Sequence, residues 1–459
     1  MEYFIDKNLN RKAVRDFFEN AKKENNEIHT LQIYKNNRLI LKTSQSPYSC
    51  EDIREIYSLS KSFTSTVVGI ASDMGYLSTE DLVLKYFPEF KTENVHFNNL
   101  RIKHLLSMNT GHSACVMPYM RLADEAWRGF FEKEPEFEPG THFAYNTGAT
   151  CLLGIIILRA TGKNFFDFAC EKLFYPLEIY NISWSRCHDG SCQCGTGLHI
   201  SNNDIAKFGL MLYNNGVYNE KRIVSQEWIK EASSYISDNS QNGTHDWSSG
   251  YGYQFWINKR DGYRGDGAFG QLCLILPKHE MVVTVQAYCS CMQKEIDMIF
   301  DLIDIIDEQS EGFSESVFEP FERNNNITHY SAIYELEENL QGFKNMNLSV
   351  DEEELILAFN DGVEIQTVRC GNGKWVKSEF RAKNMYPLLT NLMTTEYVET
   401  IRIAGCFEKT NDGYKAKIRY LSNPHTEYFI IKTNDDKISI DIDTVFRKEN
   451  IKHLCGKKL

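Results

Sequence analysis

Tyr57-Ser58-Leu59-Ser60-Lys61 sets a hydroxyl and an amine three residues apart, and the residues that follow decide what that spacing means. Phe63, Val67, Ile70, Ala71 and Met74 recur at three- and four-residue intervals, the period of a helix with one buried stripe. Gly75 stands where such a helix commonly stops. Positions i and i+3 are neighbours on a helix surface, so Ser58 and Lys61 share a face. In a first turn, unpaired backbone N–H groups and the positive end of the dipole favour developing negative charge. A serine hydroxyl is a weak nucleophile at neutral pH, and a lysine within hydrogen-bond reach activates it if burial or a nearby cation lowers the lysine's proton affinity. Ser-x-x-Lys also arises by chance on solvent-facing helices, so the rest of the chain must supply the context.

Working outward, residues from about Asn10 to Asn25 read as an amphipathic helix carrying Val14, Phe17 and Phe18. The runs Ile28–Tyr34 and Arg38–Lys42 read as strands joined by a turn at Lys35-Asn36-Asn37. Residues 78–200 read as mostly helical, with Cys151–Ala160 a buried helix ending at Gly162 and Ser201 capping a further helix that runs to Gly216. Gly250–Trp256 alternates aromatics as a strand does, and Gly270–Leu276 and Met281–Ala287 form two apolar strands around Pro277–Glu280. A helix over Lys294–Asp307 gathers Ile296, Ile299, Phe300, Ile303 and Ile306 on one face. The expected fold class is therefore α+β, an antiparallel sheet flanked by helices with a helical insert at about 78–200. After the composition shift at Asp307–Gly312, the runs Glu354–Phe359, Tyr397–Ile403, Tyr414–Tyr420, Tyr428–Lys432 and Lys437–Ile442 indicate a separate antiparallel β-domain, a small barrel or a sandwich. The expected domains are 1–308 and 309–459.

Composition narrows the partners. With 63 acidic against 50 basic residues the formal charge is −13, which argues against nucleic acid or an anionic membrane as partner. No apolar signal segment follows Met1, no apolar run reaches bilayer length, and thirteen scattered cysteines fit a reducing compartment better than a disulfide framework. The expectation is a cytoplasmic protein; the sequence does not set its oligomeric state.

Four spaced motifs now converge. Tyr57–Ser65, His104–His112 (HLLSMNTGH), Pro139–Gly148 (PGTHFAYNTG) and Gly267–Gln271 (GAFGQ) occur in this order. Together they resemble the serine β-lactamase-related hydrolases: class C β-lactamases, penicillin-binding-protein-like D-aminopeptidases and lactamase-fold esterases. The resemblance covers roughly residues 10–307. It implies an acyl-enzyme mechanism without metal or organic cofactor on a small amide or ester, with Ser58 as nucleophile, Lys61 as base or proton relay, and Tyr145 as proton-transfer partner. It also implies an oxyanion hole from the backbone N–H of Ser58 and one after Gly267, at Ala268.

Two departures stand out. The family's second motif is often Tyr-x-Asn, whereas Thr147 holds the third position here and the asparagine is Asn146. Thr147 can still offer a hydroxyl to Lys61. The third motif, Lys-Thr-Gly or His-x-Gly, is replaced near Arg264-Gly265-Asp266-Gly267, which removes the cation expected to hold a substrate carboxylate unless Arg264 substitutes, and points away from penicillin-like substrates. The alternative reading is a lactamase-fold binding or sensor protein without turnover.

Other candidates carry less. Cys187-His188-Asp189-Gly190-Ser191-Cys192-Gln193-Cys194 has metal-loop composition but no second ligand pair at zinc-finger spacing, so it reads as a loop with free thiols. His104, His112 and His199 read as structural, and Tyr251, Tyr253 and Phe255 as core residues that could border a cleft.

Overall fold

In a computed structural model of the chain, residues 3–5, 9–243, 245–307, 323–324, 327–339, 341–381, 400–434, 436–444 and 452–459 are described. They form two compact units: among the described residues, one takes in those up to Ser44 and from Cys50 to Asp307, the other Gln45–Ser49 and those from Arg323 onward. The composition shift at Asp307–Gly312 falls, beyond Asp307 itself, outside the described residues.

The first unit is built on a seven-stranded antiparallel sheet in the order Tyr3–Ile5, Arg38–Ser44, Glu27–Lys35, Met281–Tyr288, Gln271–Leu276, Tyr263–Gly267, Trp256–Ile257. The first hairpin turns at Asn36 and Asn37, both at positive φ (48° and 63°), the left-handed pair that matches strand twist and that asparagine tolerates. Every residue of Gln271–Leu276 is buried, as in a sheet covered on both faces. Cys273, Ile275 and Val282 meet helix Asn202–Tyr213, where a Cβ on Gly209 would stand 2.7 Å from Val282 Cγ1. Side chains alternate along a strand, so Leu272 and Leu274 face the opposite side. There, helix Arg11–Lys23 lies along helix Met292–Asp307.

Helix Ser60–Asp73 is buried along nearly its whole length. Phe63 anchors it, stacked on Phe208 with ring centroids 3.8 Å apart and on Phe174 at 5.9 Å. Against it packs helix Thr147–Thr161, apolar on all sides as a core helix is. Asn146 caps it, its side chain accepting from the Ala149 N–H, and Gly162 ends it at φ 71°.

The aromatic run Gly250–Trp256 departs from the strand expected for it: only Trp256–Ile257 joins the sheet. Gln254 adopts φ 66° and points its amide into the core, donating to the Leu105 and Leu106 carbonyls and accepting from Thr150 Oγ1 at 2.7 Å. That buried amide outweighs the strand preference of its neighbours, because a polar group there must be paired.

The second unit is a closed barrel. From Ile365–Asn372 the order runs Glu354–Asn360, Asn345–Val350, Tyr330–Leu336, Lys452–Lys458, Lys437–Thr444, Thr426–Thr433, Gly413–Tyr420, Thr400–Thr410, with Val376–Arg381 on the last strand's first half. Cys370–Asn372 then pair parallel with Gly405–Phe407 and shut the ring. The strands approach so closely there that a Cβ on Gly405 would lie 2.4 Å from the Arg369 carbonyl oxygen, which only glycine permits. Closure, rather than a sandwich, removes most free edges.

Candidate active site

Ser58 sits in a 3₁₀ turn, Tyr57–Leu59, that leads directly into helix Ser60–Asp73. Tyr57 adopts φ 48°, a left-handed conformation that costs a non-glycine residue about 1–2 kcal/mol. Its surroundings hold it there: the ring is buried edge-on against Phe269, and Ser60 Oγ donates to the Tyr57 carbonyl while accepting from the Leu198 N–H. Strand Tyr263–Gly267 ends beside this turn. A Cβ on Gly265 would lie 2.4 Å from Ser62 Oγ, and one on Gly267 2.0 Å from the Ile56 carbonyl oxygen and 3.1 Å from the Leu59 nitrogen. Both positions therefore require glycine, and Ala268, partly exposed, continues the chain just past the contact.

Lys61 reaches back along its helix. Its Nζ donates to Ser58 Oγ at 3.1 Å and to the Gly195 carbonyl at 2.6 Å, and its side chain is only 1% exposed. Burial lowers its pKa from 10.5 to about 8, with Cys151, Cys115 and Asp266 opposing that shift. The Tyr145 ring lies 4.8 Å from Nζ, and its phenol is close enough to Ser58 for the serine to work against the rise in its pKa. Burial and then the Asp266 charge push the Tyr145 pKa well up, so Tyr145 is a protonated phenol at neutral pH and Lys61 is the group able to accept a proton. Trp256 stacks on Tyr145 at 5.4 Å, and Tyr251 and Phe143 stand against Trp256 at 4.7 and 6.1 Å. The result is an aromatic wall beside the serine.

The structure brings Ser58, Lys61 and Tyr145 together, with Gly267 and Ala268 alongside. Asn146 lies directly behind them with its amide occupied: Oδ1 accepts from the Val116 and Ala149 N–H groups, and Nδ2 donates to Thr110 Oγ1. Thr147 is not the second partner of Lys61. That partner is the Gly195 carbonyl, and Thr147 presses its methyl toward Gly195, whose Cβ would stand 2.7 Å from it. Arg264 does not offer a free cation. It is fully buried, with Nε on Asp266 Oδ2 at 3.0 Å, Nη1 on Asn258 Oδ1 at 2.9 Å and its guanidinium 4.7 Å from the Trp247 ring centroid. Two participants escaped the sequence reading: the Gly195 carbonyl, which no residue pattern marks, and Asp266, visible only as an acidic residue inside an altered motif.

The histidines stay structural. His112 is held between Thr110 Oγ1 and the Lys133 carbonyl, and His104 accepts from the Arg101 N–H. Cys187, Cys192 and Cys194 are buried in the main core, and among the described residues no three His, Cys, Asp or Glu side chains form a group that could hold a metal ion.

A Beta-lactamase of Escherichia coli K12 is 25% identical over 141 residues, 30% of this chain and 37% of that one. The 6-aminohexanoate-dimer hydrolase of Paenarthrobacter ureafaciens is 23% identical over 262 residues, 51% of this chain and 66% of that one. The chain thus spans about a third of the length of the first curated relatives it matches. Among solved structures, the octameric penicillin-binding protein homologue of Pyrococcus abyssi matches 97% of this chain and 99% of its own at TM-score 0.53 and 16% identity, a likeness of fold. Residues 28–289, more than half of the sequence, match the Beta-lactamase family model, and the chain belongs to that family.

Proposed function

We propose that this protein is a serine hydrolase that cleaves a small amide or ester through an acyl-enzyme on Ser58. The observation that carries this reading is the 3.1 Å contact between Ser58 Oγ and a buried Lys61 amine whose pKa falls to about 8. At neutral pH a useful fraction of such an amine is unprotonated, and it faces the hydroxyl it must deprotonate. As Ser58 Oγ attacks the carbonyl carbon, its proton passes to Lys61 Nζ, and the carbonyl π electrons move onto oxygen. That oxyanion is received by the N–H groups of Ser58 and Ala268, each such donor being worth about 2.7–4 kcal/mol in comparable sites. The tetrahedral intermediate collapses by breaking the bond to the leaving amine or alkoxide, which takes a proton from the Tyr145 phenol, itself resupplied from Lys61. Water then enters by the reverse relay and releases the acid. No step needs a metal or an organic cofactor.

The family relationship supports hydrolysis of a carbonyl substrate, while the acyl and leaving groups are a separate matter of the walls around Ser58. The test is intact-protein mass after incubation with a fluorophosphonate, on wild type, Ser58→Ala and Lys61→Ala. One adduct in the wild type, absent from Ser58→Ala and strongly slowed in Lys61→Ala, is the expected result. No adduct on folded wild-type protein would overturn the reading in favour of a binding or sensor protein.

A further inference from the structure

Residues Gln193, Cys194 and Gly195 run, buried, between helix Ser60–Asp73 and helix Thr147–Thr161. Their three successive carbonyls accept from three different side chains: Gln193 from Cys151 Sγ at 2.9 Å, Cys194 from Thr64 Oγ1 at 2.8 Å, and Gly195 from Lys61 Nζ at 2.6 Å. Thr64 and Lys61 stand three apart, on one helix face. From the other side Thr147, Thr150, Cys151 and Gly154, one stripe of their helix, close on the loop: a Cβ on Gly195 would stand 3.3 Å from Thr150 Cβ, and one on Gly154 2.1 Å from Cys194 Sγ. Cys194 is held at φ 29°, a conformation that persists only where the surroundings over-determine it.

A buried threonine within a helix commonly returns its hydroxyl to the carbonyl four residues back, as Thr66 does to Ser62 at 3.1 Å. Thr64 instead reaches a carbonyl 130 residues away, on the residue just before the acceptor of Lys61. Lys61 needs that acceptor in a fixed place. A neutral amine has hydrogens and a lone pair to orient, carried here on a flexible stem. With one hydrogen tied to the Gly195 carbonyl, the lone pair is left to face the Ser58 hydroxyl 3.1 Å away.

We propose that Thr64 is a positioning residue of the reaction: its hydroxyl fixes the Cys194 carbonyl, and through the next peptide it sets the Gly195 carbonyl where that group aims the Lys61 amine at Ser58. The inference rests on the serine-hydrolase reading and adds to it the part that orients the base.

The experiment follows the rate of fluorophosphonate adduct formation by intact-protein mass from about pH 6 to 9.5, a range that brackets the Lys61 titration. The full chain is used as wild type, Thr64→Val, Thr64→Ala, Thr64→Ser and Thr66→Val. Thr64→Val and Thr64→Ala should label about 10- to 100-fold more slowly on the high-pH plateau, the cost of a misplaced reacting group. The midpoint of their pH profiles should also fall by about one unit, because the Gly195 carbonyl stabilises the ammonium form and a displaced carbonyl no longer does. The other titratable groups around Lys61, namely Tyr145, Cys115, Cys151 and Asp266, are unchanged in these variants, so the shift reports the carbonyl. Thr64→Ser keeps a hydroxyl and should stay near the wild-type rate and midpoint. Thr66→Val loses a hydroxyl bonded within its own helix and should move neither reading. Wild-type behaviour of Thr64→Val or Thr64→Ala overturns the positioning role, as does a slowing that leaves the midpoint in place or that Thr66→Val shares. Failure of both Thr64 variants to fold assigns the hydroxyl to stability and overturns it as well. All of these outcomes leave the hydrolase reading standing, whereas no adduct on folded wild-type protein refutes that reading and the inference with it.

Discussion

Replacing Lys61 with methionine should make the protein more stable at neutral pH and inactive. Methionine keeps an unbranched apolar stem in a site where Lys61 is only 1% exposed. In the folded protein the Lys61 pKa is about 8 instead of 10.5, and at about 1.36 kcal/mol per tenfold change in proton affinity the buried ammonium costs roughly 3 kcal/mol below pH 8. Against this, the buried Gly195 carbonyl loses its donor, which costs about 1–2 kcal/mol, while Ser58 Oγ is partly exposed and can bond to water instead. The balance is a gain of about 1–2 kcal/mol at pH 7. The sign depends on pH: with a depressed folded pKa, the unfolded chain binds more protons between pH 8 and 10.5, so wild-type stability recovers across that window and the advantage of the variant disappears. Tryptophan fluorescence during thermal unfolding reads the right unit, since five of the six tryptophans lie in it, and a Tm rise of about 2–8 °C at pH 7 is expected from 2–4 °C per kcal/mol. A variant no more stable than wild type at pH 7, or a difference that stays constant up to pH 10, would refute the reasoning.

Three further outcomes follow from the same geometry. Because the reactive lysine must be neutral, kcat/KM should climb about tenfold per pH unit and level off near pH 8; a flat profile from pH 6 to 9 removes Lys61 as the base. Gly267→Ala sets a Cβ about where the Ile56 carbonyl oxygen lies and pushes the strand end off the Ser58 turn, so stopped-flow measurement should show kcat reduced by about 10²–10³ with KM little changed, whereas near-normal kcat would clear the strand end of a role in oxyanion binding. Glu295, buried against Gly270 and bonded to the Cys289 thiol, has its pKa raised from 4.5 to about 8. The folded state therefore holds an extra proton between these pH values and loses stability as pH rises through them, so Glu295→Gln should melt several degrees above wild type at pH 9 and level with it near pH 4; equal melting points at pH 9 would contradict that.

How much of this could be read in advance depended on the range of each interaction. The Asn36-Asn37 hairpin, the Ser201 cap and the Gly162 stop are local, and a residue within three positions of each element end states them. The Ser58–Lys61 pair is local too, closed inside one turn. What stayed hidden is contributed from afar by groups without a side-chain signature: the Gly195 carbonyl lies 134 residues from Lys61, and peptide carbonyls look alike in every sequence. Gly250–Trp256 misled because aromatic alternation is a statement about neighbours, whereas Gln254 answers to the carbonyls of Leu105 and Leu106. Arg264 was read as a possible substrate anchor because a formal charge is visible in the sequence; its partners at Asn258 and Asp246 are not.

The barrel of the second unit sets a kinetic condition on how it is made. Tyr330–Leu336 pairs with Lys452–Lys458, which in turn pairs with Lys437–Thr444, so two strands far apart in sequence share a neighbour that emerges after both. Pairings this distant along the chain require a long loop to close before any contact rewards it, and such topologies fold slowly. Until the residues from Lys452 arrive, Tyr330–Leu336 and Lys437–Thr444 both present open edges, the template on which other chains add strands. A nascent or clipped chain lacking Lys452–Lys458 is consequently an aggregation hazard, and those seven residues act as the closing stave of the barrel.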